Sequence, residues 1–345
     1  MRVLVLGAGG FLGARLAAQL AASAQLGGHA IDELVLFDRK PLRTPPSARC
    51  RLTALDGDLR DAAVLQALLA RPPEVIAHLA ATLTLAAETD FRQGLETNVL
   101  ALIALLEALR ARPRTDVGTQ ARTPARTQAR TQARTQAHVP MLLFASSIST
   151  FGGALPDVVG DDVFQAPTTS YGAHKVIAEQ LLADYSRHGF VDARALRLPI
   201  VLTHPGPASG SISDQVAALI REPLRGQATT CRMAADSVMA VVSVDKVIES
   251  FLHLATLAPD TLPPGRALNL PGLTVTPAQL VQAVARVRPG ADALVAWQPD
   301  AGVQRIIDGW PRAFTSERAL ALGFGADASV DDVVAAFLRA ETQPR

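Results

Sequence analysis

A short apolar run that ends in a cluster of glycines constrains this chain more than any other feature. Arg2–Leu6 (RVLVL) passes without a linker into Gly7-Ala-Gly-Gly10-Phe-Leu-Gly13, and apolar residues at helical spacing follow from Phe11 to Leu26. A buried parallel strand reads as such a run, and a strand, glycine turn and helix in this order make a phosphate cradle. Gly7 permits the tight turn, Gly10 lets a pyrophosphate approach the backbone, and Gly13 lets the helix pack closely on the strand. The first helical turn, with Phe11 and Leu12, offers N–H groups to the phosphates. A second run, Glu33–Phe37, ends in Asp38, 25 residues after Gly13. A carboxylate there accepts hydrogen bonds from the adenosine ribose and repels a 2′-phosphate, so NAD is expected rather than NADP. Arg39 and Lys40 follow at once and weigh the other way.

Further apolar runs at Arg51–Leu55, Glu74–Leu79, Met141–Ala145 and Ala193–Leu198 alternate with helical stretches at Val64–Leu69, Glu88–Arg110 and Tyr171–Arg187. Strands alternating with helices imply parallel βαβ units. The expected fold is α/β, a Rossmann-type doubly wound parallel sheet with a smaller, discontinuous C-terminal substrate lobe. The boundaries expected are 1–200 for the NAD-binding domain, 201–237 and 263–345 for the substrate lobe, and 238–262 for a return to the first domain. In that return, Val241–Leu254 is expected to supply a strand that rejoins the main sheet, and Ala293–Trp297 reads as a strand of the lobe.

Charge and cysteine content narrow the function. The 345 residues carry a formal charge of only +1, so no global field draws the chain to nucleic acid or an anionic membrane. That near-neutrality is a sum of unlike parts. Six arginines against Asp116 lie between Arg112 and Arg134, where ARTP and then three ARTQ units repeat from Ala121 to Gln136. Such a repeat has no apolar face to bury, so residues 112–138 are expected to form a disordered low-complexity insert without chemistry. The body of the chain is then mildly acidic. Two cysteines, Cys50 and Cys231, are too few for a disulfide framework, and a reducing, cytoplasmic location is expected. No apolar run reaches the roughly 18 residues of a spanning helix. No His, Cys, Asp or Glu cluster has metal-ligand spacing, so no metal is expected.

The glycines are spaced Gly-x-x-Gly-x-x-Gly, and the chain also holds Tyr171-Gly-Ala-His-Lys175 with Ser146-Ser147 upstream. Four residues apart on a helix, Tyr171 and Lys175 share a face. The ammonium group then lowers the phenol pKa from its ordinary value near 10, and a serine hydroxyl holds the substrate oxygen as its proton leaves. A Tyr-x-x-x-Lys alone arises by chance. Its company here is what counts.

Taken together these motifs resemble the extended short-chain dehydrogenases/reductases of the NAD-dependent epimerase/dehydratase family. Further matches are Gly57-Asp58-Leu59-Arg60, His78-Leu79-Ala80-Ala81, Asn98-Val99 and Leu196-Arg197-Leu198-Pro199. The resemblance implies cofactor contacts by Asp58, Leu59, Leu79, Ala80, Ala81, Asn98 and Pro199, and by Tyr171 and Lys175. In the family the catalytic hydroxyl lies four residues before an aromatic-Gly pair, here Phe151-Gly152, which selects Ser147. It also implies a homodimer through a face that includes the Glu88–Arg110 helix.

Dehydratases of the family place two acids after the catalytic hydroxyl, and this chain has Ser147-Ile148-Ser149. Nucleotide-sugar epimerases often carry Arg-Asp-Phe where Met239-Ala240-Val241 stands. The chain is more similar to the D-erythronate dehydrogenase branch, through stretches such as Phe151-Gly-Gly-Ala-Leu-Pro156 and Ile220-Arg-Glu-Pro-Leu224. The resemblance implies oxidation of the 2-hydroxyl of a short sugar acid, with a nucleotide-sugar epimerase as the alternative and a non-catalytic dinucleotide-sensing module behind both. A sugar acid needs a clamp for its carboxylate. Arg221 is the candidate, with Ser211 and Ser213 as hydroxyl partners. An ion pair of Arg221 with Glu222 is the competing reading. His204 reads as a surface-loop residue, His174 as solvent-facing and His78 as packing.

Overall fold

The computed structural model describes residues 1–42, 44–45, 47–112, 139–202 and 211–342. The insert expected over 112–138, Arg112 excepted, and His204 lie outside the described residues.

In chain order the framework is β1 (Arg2–Leu6), α1 (Phe11–Ser23), β2 (Glu33–Asp38), β3 (Arg51–Asp56), α2 (Ala62–Leu69), β4 (Val75–His78), α3 (Ala101–Arg110), β5 (Met141–Ser147), α4 (Ser170–Arg187) and β6 (Asp192–Leu198). It continues with β7 (Ile200–Leu202), α5 (Ile212–Leu224), β8 (Met239–Ser243), α6 (Val244–Leu254), β9 (Ala267–Asn269) and β10 (Leu273–Val275). Seven strands form one sheet in the order β9-β6-β5-β4-β1-β2-β3. Every neighbouring pair in it is parallel. The chain leaves β1 in one direction for β2 and β3 and returns on its other side for β4, so the crevice between β1 and β4 is the switch point at which such sheets bind ligands.

Both faces of the sheet are covered, which explains the continuous apolar runs. Val3 and Val5 of β1 pack on one side with Leu16 and Leu20 of α1 and with Val247 and Phe251 of α6. Leu4 and Leu6 face the opposite side, with Leu65 of α2, Leu102 and Leu106 of α3, and Leu182 of α4. A third cluster forms the smaller lobe, around Val216 and Ile220 of α5, Val241 of β8, and Leu280 and Phe337.

Three expectations about elements are corrected. First, the strand at 239–243 does not rejoin the main sheet: β8 lies between β7 and β10 in a separate three-stranded sheet. Pro199 has no N–H for a ladder, the chain diverges there into β7, and β8 pairs with β7 instead. The edge beside β6 is taken by β9, inside the span expected for the lobe. From that segment α6 returns to the first layer, packed in the same cluster as α1, together with Val242 and Leu262. Second, Glu88–Arg110 is not one helix. Thr84–Thr89 ends at Asp90, whose carboxylate caps Phe91–Leu95, and a π-helical turn over Glu96–Leu100 precedes α3. Third, the strand expected over Ala293–Trp297 begins only at Val295, after a short 3-10 turn.

Candidate active site

Gly7 and Gly13 make the tight turn and the close packing that their spacing implies. Gly7 has φ +85, and a Cβ on it would come within 2.6 Å of the Ala80 amide nitrogen. Its own N–H and that of Ala8 donate to the Phe37 carbonyl, tying the turn to the end of β2. A Cβ on Gly13 would fall on the Gly7 carbonyl oxygen, so α1 is seated directly on the turn. Around Gly10 the only near atom is that same carbonyl oxygen, at 3.2 Å, and the remaining space opens to the cleft. No side chain caps α1 and no acid stands in its first turn, so the positive end of the helix is left facing the cleft. The Asp38 carboxylate accepts from Gly9 N at 2.9 Å and from Lys40 N at 3.1 Å. Asp58 is paired with Arg60 at 2.6 Å, and that hydrogen bond holds its carboxyl below the usual range.

Two cavities meet over this turn. One, of about 190 Å³, is lined by Asp38, Arg39, Asp58, Leu59 and Ala80. The other, of about 290 Å³, is lined by Phe11, Leu12, Gly13, Ser147, Tyr171, Lys175 and Pro199. Gly7, Gly10, Leu79 and Ala81 line both. The two form one trough across the carboxyl end of the sheet, with an acidic residue at one end and a Ser-Tyr-Lys group at the other. A dinucleotide would fit it, with Asp38 available to an adenosine ribose, Gly10 and the α1 terminus to phosphates, and Tyr171 and Lys175 to the nicotinamide end.

Asn98 is corrected. It lines neither cavity. It is buried in the π-helical turn, where its Oδ1 accepts from Thr82 N at 2.8 Å and its Nδ2 donates to Thr82 O at 2.9 Å. It thus braces the 79–82 loop that floors the trough. Its Nδ2 also lies 3.3 Å from His174 Nδ1, so His174 is buried and not solvent-facing. The π turn re-aims this one side chain, and helical periodicity carries no sign of it.

Ser147 closes β5, and its Oγ accepts from Ser149 N at 3.1 Å while donating to Ser149 Oγ at 3.1 Å. Tyr171 and Lys175 lie one turn apart on α4. A Cβ on Gly172 would strike the Ser149 carbonyl oxygen, so the start of α4 presses directly on the turn after Ser147. That close approach brings hydroxyl and phenol into the same wall of the cleft. Ser146 points the other way, buried against Glu179. The Lys175 ammonium is buried, donates to Ala145 O at 2.7 Å and lies 5.4 Å from the Tyr171 ring centre. Burial pulls Lys175 down to about 7, with Glu179 opposing. Burial pushes the Tyr171 phenol up to about 12, with the Ser147 hydroxyl opposing. The lowering expected from Lys175 is therefore absent from the folded chain, because desolvation of the phenol outweighs it and the ammonium is directed at the β5 carbonyl.

Arg221 is also corrected. Its side chain is 0% exposed, and it pairs with Asp214 at 2.6 Å and Glu222 at 2.7 Å. It does not line the cleft, and the competing reading holds. Ser211 and Ser213 do line it, their hydroxyls 3.2 Å apart, and Ser211 also caps α5. The sequence reasoning missed Thr84, Ser149 and Trp310 in the same wall. Trp310 lies far along the chain with no motif around it. His78 packs at 5.6 Å from Phe144, as expected. Among the described residues no cluster has the makings of a metal site.

The model of the NAD dependent epimerase/dehydratase family matches residues 3–270. A D-erythronate dehydrogenase of Cupriavidus necator is 39% identical over 98% of this chain and 98% of its own length. A D-erythronate dehydrogenase of Haemophilus influenzae is 32% identical over 98% and 99%. Among solved structures, a nucleoside-diphosphate-sugar epimerase from Agrobacterium tumefaciens has a TM-score of 0.89 and 30% identity, covering 99% of this chain and 94% of that one. An L-threonine dehydrogenase from Cupriavidus necator shares the fold, with a TM-score of 0.80, 23% identity and coverage of 99% of each chain. The glycine turn, the trough and the Ser-Tyr-Lys group are thus the local marks of a likeness that runs nearly end to end, and the chain belongs to the NAD-dependent epimerase/dehydratase family.

Proposed function

We propose that this chain oxidises the 2-hydroxyl of a short sugar acid such as D-erythronate to the 2-oxo acid, with NAD as acceptor. The observation that carries the reading is the single trough, which joins the dinucleotide cradle to Ser147, Tyr171 and Lys175. The near full-length likeness to two D-erythronate dehydrogenases supports the choice of substrate. The glycine turn and Asp38 would hold NAD, which when bound would accept the hydride from C2. Ser147 orients the substrate hydroxyl and stabilises the developing carbonyl oxygen. Tyr171 takes the hydroxyl proton on its phenolic oxygen. Lys175 would hold the nicotinamide ribose beside the phenol. Ser211 and Ser213 hydrogen-bond the acid end, and Trp310 walls it. Holding the reacting groups in contact is the main contribution of the protein.

The Agrobacterium structure, by its name, favours the second reading, a nucleotide-sugar epimerase. The cleft argues for the smaller substrate. Lys175 is the one Lys or Arg in its catalytic half among the described residues, and the neighbouring 203–210 segment contains neither. A nucleoside diphosphate needs several cations. The test is NAD reduction with D-erythronate, L-threonate and five-carbon aldonates. NADH should accumulate with at least one of the four-carbon acids. Conversion of a nucleotide sugar with no net NADH would establish the epimerase instead.

A further inference from the structure

We propose that Glu179 is a positioning residue of the active site, holding the end of β5 that carries Ser147, and the ammonium group of Lys175, in their working relation. Glu179 is 2% exposed and lies one helical turn beyond Lys175 on α4. Its carboxylate gathers three other parts of the chain. Oε1 accepts from the Ser146 hydroxyl and from Arg197 Nε at 3.0 Å. Oε2 accepts from the same guanidinium at 2.7 Å and from Gln165 Nε2 at 2.9 Å. Arg197 continues to Asn269 Oδ1 at 3.1 Å, and the Asn269 amide donates to Gly160 O at 3.0 Å and Thr315 O at 3.3 Å. The network therefore runs from the residue beside Ser147, through α4, β6 and β9, to the segment just after Trp310.

A buried ion pair of this kind is weak evidence for stability, and its registering role is the one to test. Two features set it apart from a structural clamp. Ser146 is the covalent neighbour of Ser147, so whatever fixes Ser146 fixes where the catalytic hydroxyl stands. The second feature is charge. The groups near the Lys175 ammonium are Tyr171, His174 and Glu179 on its own helix, His78 from β4, and the Phe144 ring and Ala145 carbonyl from β5, with Arg197 from β6 paired to Glu179. Burial lowers the pKa of both imidazoles, and the Arg197 charge is taken up by Glu179. Glu179 is the carboxylate that supports the ammonium form.

The role rests on the dehydrogenase reading, and the test separates the two. The chain contains three lysines, Lys40, Lys175 and Lys246. NMR titration of protein labelled with ε-¹³C lysine therefore resolves Lys175, with a Lys175→Met control to assign it, and needs no substrate. The Lys175 midpoint should lie near 7 in the parent chain. In Glu179→Gln it should fall by about one unit. With D-erythronate, kcat should fall by up to about 100-fold while KM for NAD holds. If Glu179→Gln does not fold, the double variant E179Q/R197M, which leaves no buried charge unpaired, is read in the same way. An unmoved Lys175 midpoint, or a kcat loss equal at every pH, would overturn the positioning role. Absence of aldonate turnover in the parent chain would overturn the substrate reading and leave the lysine titration to decide on Glu179.

Discussion

At Tyr171 two opposing influences decide the chemistry. Desolvation favours the neutral phenol, whereas oxidation of an alcohol needs the phenolate, so activity in that direction should rise with pH toward the phenol pKa of about 12. Tyr171→Phe should lower kcat by about 10²- to 10⁴-fold while NAD still binds, as read by tryptophan quenching and initial rates. Turnover within tenfold of the parent would remove Tyr171 from its role. Asp38 is tested through the cofactor. Its carboxylate lines the cavity and ties down Gly9 and Lys40. Loss of charged hydrogen bonds worth about 1.5–3 kcal/mol should raise KM for NAD at least about tenfold in Asp38→Ala, with kcat at saturation little changed. The positions of both residues were legible in the sequence, because each is set by local spacing. Arg221 was not, because an arginine in sequence does not disclose whether Asp214 and Glu222 have already claimed its charge.

Elements meet here through missing side chains. Gly172 is where α4 touches the turn after β5, and the contact is backbone against would-be Cβ. Gly172→Ala should therefore push α4 off that turn, at a cost of about 1–3 kcal/mol in a urea melt. It should also depress kcat more than KM, since it separates Tyr171 from Ser147. A variant with parent stability and parent kcat would show that the helix yields without consequence. Six of the seven strands of the main sheet were legible, since β1, β2, β4 and β5 are buried on both faces and read as unbroken apolar runs, whereas the three-residue β9 was not. The break in the 84–110 helical stretch was not. A π turn inserts one residue while leaving the apolar pattern nearly intact, and its purpose, to bring Asn98 under Thr82, is a tertiary one.

Across the whole molecule, packing against both sheet faces places His78 where protons are unwelcome. Burial, aided by the nearby Lys175 charge, pulls its imidazole down to about 3. The unfolded imidazole titrates near 6.5 and binds its proton first. Stability is therefore lost as pH falls from about 6.5 toward 3, by up to about 5 kcal/mol from this group alone. His78→Leu should flatten the fall in urea midpoint between pH 6.5 and 4 relative to the parent, and an unchanged slope would assign acid sensitivity to the carboxylates. Sequence by itself determined the α/β class, the glycine turn, the Asp38 and Ser-Tyr-Lys positions and their order, because each depends on neighbours a few residues away and on the period of an element. The tertiary structure alone decided that β9 and not β8 borders β6, that Asn98 braces a loop, that Arg221 is buried, that Trp310 lines the cleft, and that Glu179 is buried against Ser146 and Arg197. Those outcomes turn on which distant groups compete for one edge, one charge or one cavity, and burial settles that competition after the chain has folded.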